Sequence, residues 1–217
     1  MEAIHIPAFP PRGLRAFKPI VVVVLVTFIA GTGCFGISRD RYSKPSVEGT
    51  VASTVKEPYV GDMYVVGDVA FHIFPLNSTG TDVMVFPIPH RFAERSVSET
   101  PFSIGLALKT GAEGYAFSPA SLKCWSDPAA RISASSIQGP FGCRSSKPRP
   151  PTRPVAVTSI SLAARTCLYM WLNFDTATPD PAQTFFVALR LRLHDEDIEL
   201  PVIRFQQANR TRTFAVP

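Results

Sequence analysis

Twenty-one of the 217 residues are proline, about twice the share usual in globular proteins. An interior proline removes a helix donor and costs about 3 kcal/mol, so prolines spread from one end of the chain to the other argue against a helical bundle. Strands tolerate them at edges and ends, and the apolar residues are spaced accordingly. In 102–109, Phe102, Ile104, Leu106 and Leu108 fall on one face and Ser103, Gly105, Ala107 and Lys109 on the other. In 184–194, Phe185, Val187, Leu189, Leu191 and Leu193 separate in the same way from Arg190, Arg192 and His194. A period of 3.6 would smear these sets around a helix, whereas a period of two sorts them onto the two faces of a strand.

Seven further segments complete the set: 63–74 with a bend at Gly67-Asp68, 81–86, 115–117, 121–125, 155–162, 166–174 and 198–206. His194 to Asp197 reads as a hairpin turn between two of them. About nine short strands divided by turn signals predict an all-β fold, an immunoglobulin-like β-sandwich in the architectural sense, over 59–217. The Cys…Trp…Cys spacing of antibody domains is missing, so the expectation extends to architecture alone.

The charge is modest. Lys and Arg number 22 and Asp and Glu 17; three of the basic residues and one acid precede Cys34, leaving 19 against 16 beyond it. Such a balance lacks the basic footprint of a nucleic-acid partner. The one local excess, Arg144, Lys147, Arg149 and Arg153, is interleaved with Pro148, Pro150 and Pro151 and reads as a stiff, solvated, extended loop.

Residues 20–30 read IVVVVLVTFIA, preceded by Arg12, Arg15 and Lys18 and followed by Gly31-Thr32-Gly33 and Cys34. Basic, apolar, then small is the order of a secretory signal. With the cysteine next in line, the segment resembles that of bacterial lipoproteins: Thr32, Gly33 and Cys34 fit the lipobox, while Gly31 stands where an aliphatic residue is usual. The resemblance implies a signal peptide over 1–33, acylation of Cys34, and a lipidated N-terminus and tether over 34–58. It also implies a periplasm-facing position on the outer membrane, because Phe35 rather than Asp follows the cysteine. The alternative is an uncleaved inner-membrane span, since 20–37 is 18 residues without a charge, at the short end of a crossing.

Beyond Cys34 there remain Cys124, Cys143 and Cys167, an odd number for an oxidising compartment. Cys124 and Cys143 flank a turn-rich stretch, which predicts a Cys124–Cys143 disulfide with Trp125 packed on it and Cys167 buried; Trp171 is expected in the core. No metal-ligand spacing, phosphate loop or nucleophile motif is present, and no cofactor is expected. Asp195, Glu196 and Asp197 lack the EF-hand pattern and read as a solvated turn. Asn77-Ser78-Thr79 and Asn209-Arg210-Thr211 match the N-glycosylation acceptor. The function this predicts is a membrane-anchored, non-catalytic envelope lipoprotein that binds a protein or envelope component. The alternatives are a periplasmic immunity protein against an antibacterial toxin and a single-span hydrolase using His72 or His90.

Overall fold

The computed structural model describes residues 34–47, 53–86, 90–95, 100–144, 152–155 and 159–216. The described residues form 18 strands and one short 3-10 turn. In chain order the strands begin with β1 (Cys34–Val47), β2 (Ser53–Glu57), β3 (Gly61–Val66), β4 (Val69–Pro75), β5 (Thr79–Phe86) and β6 (His90–Arg95). There follow β7 (Phe102–Thr110), β8 (Tyr115–Phe117), β9 (Lys123–Trp125), β10 (Ile132–Ser133), β11 (Ser136–Gly142) and β12 (Thr152–Pro154). The last are β13 (Ile160–Leu162), β14 (Leu168–Phe174), β15 (Phe185–Ala188), β16 (Arg190–Leu193), β17 (Glu196–Glu199) and β18 (Ile203–Val216).

Two seven-stranded antiparallel sheets, in the orders β10-β9-β15-β18-β1-β5-β6 and β12-β11-β14-β7-β4-β3-β2, pack as a sandwich, and a four-stranded sheet, β13-β8-β16-β17, supplements them. The expected all-β sandwich is the fold. The alternating sets supply its interior: Phe102, Ile104, Leu106 and Leu108 of β7 are fully buried, as are Phe185 and Val187 of β15 and Ile203 and Phe205 of β18. Phe185 stacks on Phe205 at 4.6 Å and meets the edge of Phe102 in the opposite sheet at 5.6 Å. Segment 184–194 keeps its alternation but divides at Leu189 into β15 and β16, which belong to different sheets. Leu189 and Leu191 are each 1% exposed, whereas Arg190 and Arg192 face solvent.

Three expectations are corrected. First, the described part of the expected tether 34–58 is largely strand: β1 pairs with β18 over its whole length and with β5 over 35–41, and β2 pairs with β3. The polar sequence of β1 concealed a strand whose central residues have neighbours on both sides, and β18 runs ten residues past the expected end at Gln206. Second, the bend in 63–74 is a complete hairpin, β3 to β4, with Gly67 at φ 60° in its turn. Third, the disulfide joins Cys143 to Cys167, with Cα atoms 5.5 Å apart, and Cys124 is free and buried. Register explains this pairing. β11 and β14 are neighbours with Gly142 opposite Leu168, which sets the adjoining Cys143 and Cys167 side by side. Cys124 lies opposite Val187 in the other large sheet. Trp125 therefore packs on no bridge; it stacks on Phe186 at 5.9 Å with Arg131 over its ring at 4.6 Å.

Candidate functional site

One face of β7 lines the interior, yet Gly105 and Ala107 on its other face are buried as well. The cover is a second apolar layer on the outside of the sheet. Cross-strand register sets His72 beside Ala107 and Phe74 beside Gly105 from β4, and Tyr169 beside Ala107 and Trp171 beside Gly105 from β14. Phe74 lies 6.2 Å from Tyr169 and 5.3 Å from Trp171. Trp171 is buried as expected, but in this outer layer and not between the sheets.

Two local irregularities complete the layer. Between Gln138 and Phe141 the β11–β14 register shifts: three steps on β11 face two on β14, which is the extra residue of a β-bulge. Gly139, at φ 120°, supplies a backbone conformation that other residues rarely adopt. The shift brings Phe141 onto the outer face, where its ring lies 4.9 Å from Tyr169. Gly105 is needed for closeness: a Cβ there would meet Phe74 ring carbons at 2.5 and 2.7 Å and the Tyr169 hydroxyl at 2.9 Å.

A groove of about 450 Å³ opens in this layer, lined by Tyr59, Val60, His72, Phe74, Phe141 and Tyr169 together with Gly142 and Cys143. The volume is within the range of small-ligand sites. Its wall at Tyr59 is held from below. Lys109 on the outer face pairs with Glu57 at 2.7 Å, and the Val60 N–H donates to the Glu57 carbonyl. Tyr59 then stands 80% exposed at φ 74°, in the left-handed region that costs a bulky residue energy. The His72 Nδ1–H donates to the Asp62 carbonyl at 2.8 Å. Since a carbonyl only accepts, Nε2 is the ring atom left for a ligand. No lining residue carries a fixed charge, so the groove suits a neutral ligand with flat or ring-shaped apolar surface.

The residues singled out from the sequence are scattered. Cys143 borders the groove; Cys34 opens β1 with its side chain outside the described residues; Cys124 sits in the core, where burial pushes its thiol up to about 12 and keeps it protonated. His72 lines the groove without a serine among the lining residues, and the side chain of His90 lies outside the described residues. His194 is in the two-residue turn between β16 and β17, at φ 53°. Of the acids beside it, Asp197 pairs with Arg190 at 3.2 Å, and Arg190 also holds Glu199 at 2.5 Å. Among the described residues no group of three metal-ligating side chains assembles.

Asn77 is 1% exposed, and its amide nitrogen donates to Ser43 Oγ at 2.8 Å and to the Pro179 carbonyl at 3.1 Å. An amide so occupied is closed to glycosylation. Of the basic, proline-rich stretch, 145–151 lies outside the described residues; Arg153 in the edge strand β12 donates to the Gly139 carbonyl at 2.6 Å. Sequence reasoning missed the groove because its aromatics come from four separate segments. The legible signal was the smallness of Gly105 and Ala107 between large neighbours. No family model, curated protein or solved structure matches the chain.

Proposed function

We propose that this chain is a membrane-anchored binding module of the bacterial cell envelope, held by acylation of Cys34. Its aromatic groove takes an uncharged, ring-bearing segment of a partner protein. The order of basic, apolar and small residues before Cys34 supports the anchor. One observation carries the binding role: an exposed tyrosine held at positive φ over a groove of aromatic side chains. Tyr59 buries little of its own surface, so its conformation gains little for the fold, whereas an aromatic-lined groove is what proline-rich, extended segments dock against. Aromatic anchors of this kind dominate binding energy at interfaces.

The test is a titration of the full chain with two probes, an uncharged proline-rich peptide and a cell-wall glycan fragment, followed through the resonances of the groove aromatics. The peptide is expected to shift Tyr59, Phe141 and Tyr169. Tyr59→Gly, which relieves the backbone and removes the ring, should weaken it at least tenfold while leaving the melting temperature unchanged or raised. Shifts with the glycan alone would transfer the site to a wall component. Silence with both probes would remove the groove from consideration. The anchor is tested apart from this, by lipid labelling that Cys34→Ala should abolish.

A further inference from the structure

The strand that opens at Cys34 leaves no slack between anchor and domain, and the register shows what lies at that end. Cys34 faces Val216; Phe35 faces Ala215 and Phe86; Gly36 faces Phe214 and Met84; Ile37 faces Thr213 and Val83. Register on three neighbouring strands thus places apolar residue types at one end of this seven-stranded sheet, on the rungs beside Cys34. At about 3.3 Å per residue this apolar band is about 10 Å deep.

The next four rungs are basic. Ser38 faces Arg212, Arg39 faces Thr211, Asp40 faces Arg210 and Arg41 faces Asn209. Arg39 and Arg41 are exposed. Arg210 and Arg212 hold the buried Asp40 at 3.2 and 2.9 Å while their side chains stay 46% and 56% exposed. On β5 and β6, Asp82 lies opposite Ser38, and Glu94 and Arg95 lie opposite Thr81 and Gly80; Arg91 and His90 fall on the preceding rungs, opposite Val83 and Met84. Among the described side chains at this level, Arg39, Arg41, Arg210 and Arg212 stand against Asp40 and Asp82. A hollow of about 330 Å³ with Arg39, Arg41 and Arg210 on its wall opens there.

We propose that this end of the sheet docks on an anionic lipid surface: the apolar rungs enter the interface and the arginine belt meets the phosphates. The proposal rests on the anchored reading above and deepens it, turning a lipid leash into a fixed orientation. The depth is limited by backbone chemistry. Among the described residues the β6 edge and the outer edge of β18 beyond its pairing with β15 have no strand neighbour, and open edges do not occur in hydrocarbon, so the sheet stops at the headgroup boundary, about 5 to 10 Å deep. Each arginine near an anionic surface contributes about fivefold to binding. The groove on the other large sheet then has a set height and direction above the bilayer.

The experiment uses the chain that begins at acylated Cys34 in phosphatidylcholine vesicles with and without phosphatidylglycerol, the acyl chains brominated near the glycerol. Quenching is compared between Thr213→Trp, on the rung of Ile37, and Asp195→Trp. The latter is in the β16–β17 turn; β15, which precedes β16, runs antiparallel to β18 and so away from this end. Position 213 is expected to quench at least threefold more than 195, with a further rise on phosphatidylglycerol that Arg39→Gln/Arg41→Gln abolishes. Equal quenching at both positions in a chain that floats with the vesicles overturns the docking and leaves the anchor standing. Quenching at 213 indifferent to phosphatidylglycerol and to the arginines also overturns it. A chain that does not float with the vesicles overturns the anchor and the docking together.

Discussion

Cys124 and Tyr115 are two of the described side chains through which alkaline pH reaches the fold; burial raises Tyr64 as well. Burial raises Cys124 to about 12, from near 9 in an unfolded chain. Tyr115, which donates to Asp68 at 2.5 Å, is also raised to about 12, first by that hydrogen bond and then by burial and the neighbouring charge. Both groups are neutral in the fold while their unfolded counterparts ionise earlier. Stability is therefore fully present below about pH 9, and is lost as pH rises from there toward 12. Denaturant midpoints measured from pH 7 to 11 should show that fall, and Cys124→Ala should remove the part that begins near pH 9 while Tyr115→Phe removes the part that begins near pH 10. The same residue scale holds the disulfide. Closing a loop with a separation of 24 residues contributes about 3 kcal/mol through the unfolded chain. Peptide mapping should join Cys143 to Cys167, with Cys124 alkylated only after unfolding.

At the scale of single elements, β16 and β7 give sharp contrasts. Leu191→Ala removes a side chain that is 1% exposed and should cost about 2 to 5 kcal/mol by lost transfer energy and a cavity. Arg190→Ala, on the wet face of the same strand, breaks only exposed ion pairs and should leave the unfolding midpoint close to the parent's. A comparable loss in both variants would mean that the strand is not half-buried. β7 differs in being covered on both sides. Gly105→Ala places a methyl against the Phe74 ring, so the outer aromatics must shift, at about 1 to 3 kcal/mol of overpacking. Its tryptophan spectrum should change with it, because Trp171 packs on Phe74 at 5.3 Å.

For the whole molecule the consequential fact is that β1 and β18 close one sheet over fourteen rungs. A chain begun at Lys44 would lose ten of them, uncover the edges of β5 and β18, and remove the Ser43 hydroxyl that accepts from the buried Asn77 amide. Such a chain should aggregate or melt far below the parent, as unpaired edges template association; removal of a mere tether would change neither property. Size-exclusion chromatography and thermal unfolding of the truncated chain decide between the two.

Proline content and period-two patterning determined the fold class, because both act locally: a proline disfavours helix wherever it sits, and alternation needs one strand alone. They placed 102–109 correctly and picked out its interior face and that of 184–194, but not the division of 184–194 at Leu189 between two sheets. Tertiary structure decided what depends on neighbours. Arg39, Asp40 and Arg41 carry no apolar period, yet they are strand residues because β5 and β18 flank them; the backbone ladder needs partners and not hydrophobicity. Spacing along the chain favoured Cys124 for Cys143, but a disulfide follows the Cα separation across β11 and β14. The groove depends on four segments and one bulge meeting on an outer face, since a one-residue slip in register turns a side chain to the opposite side of a sheet.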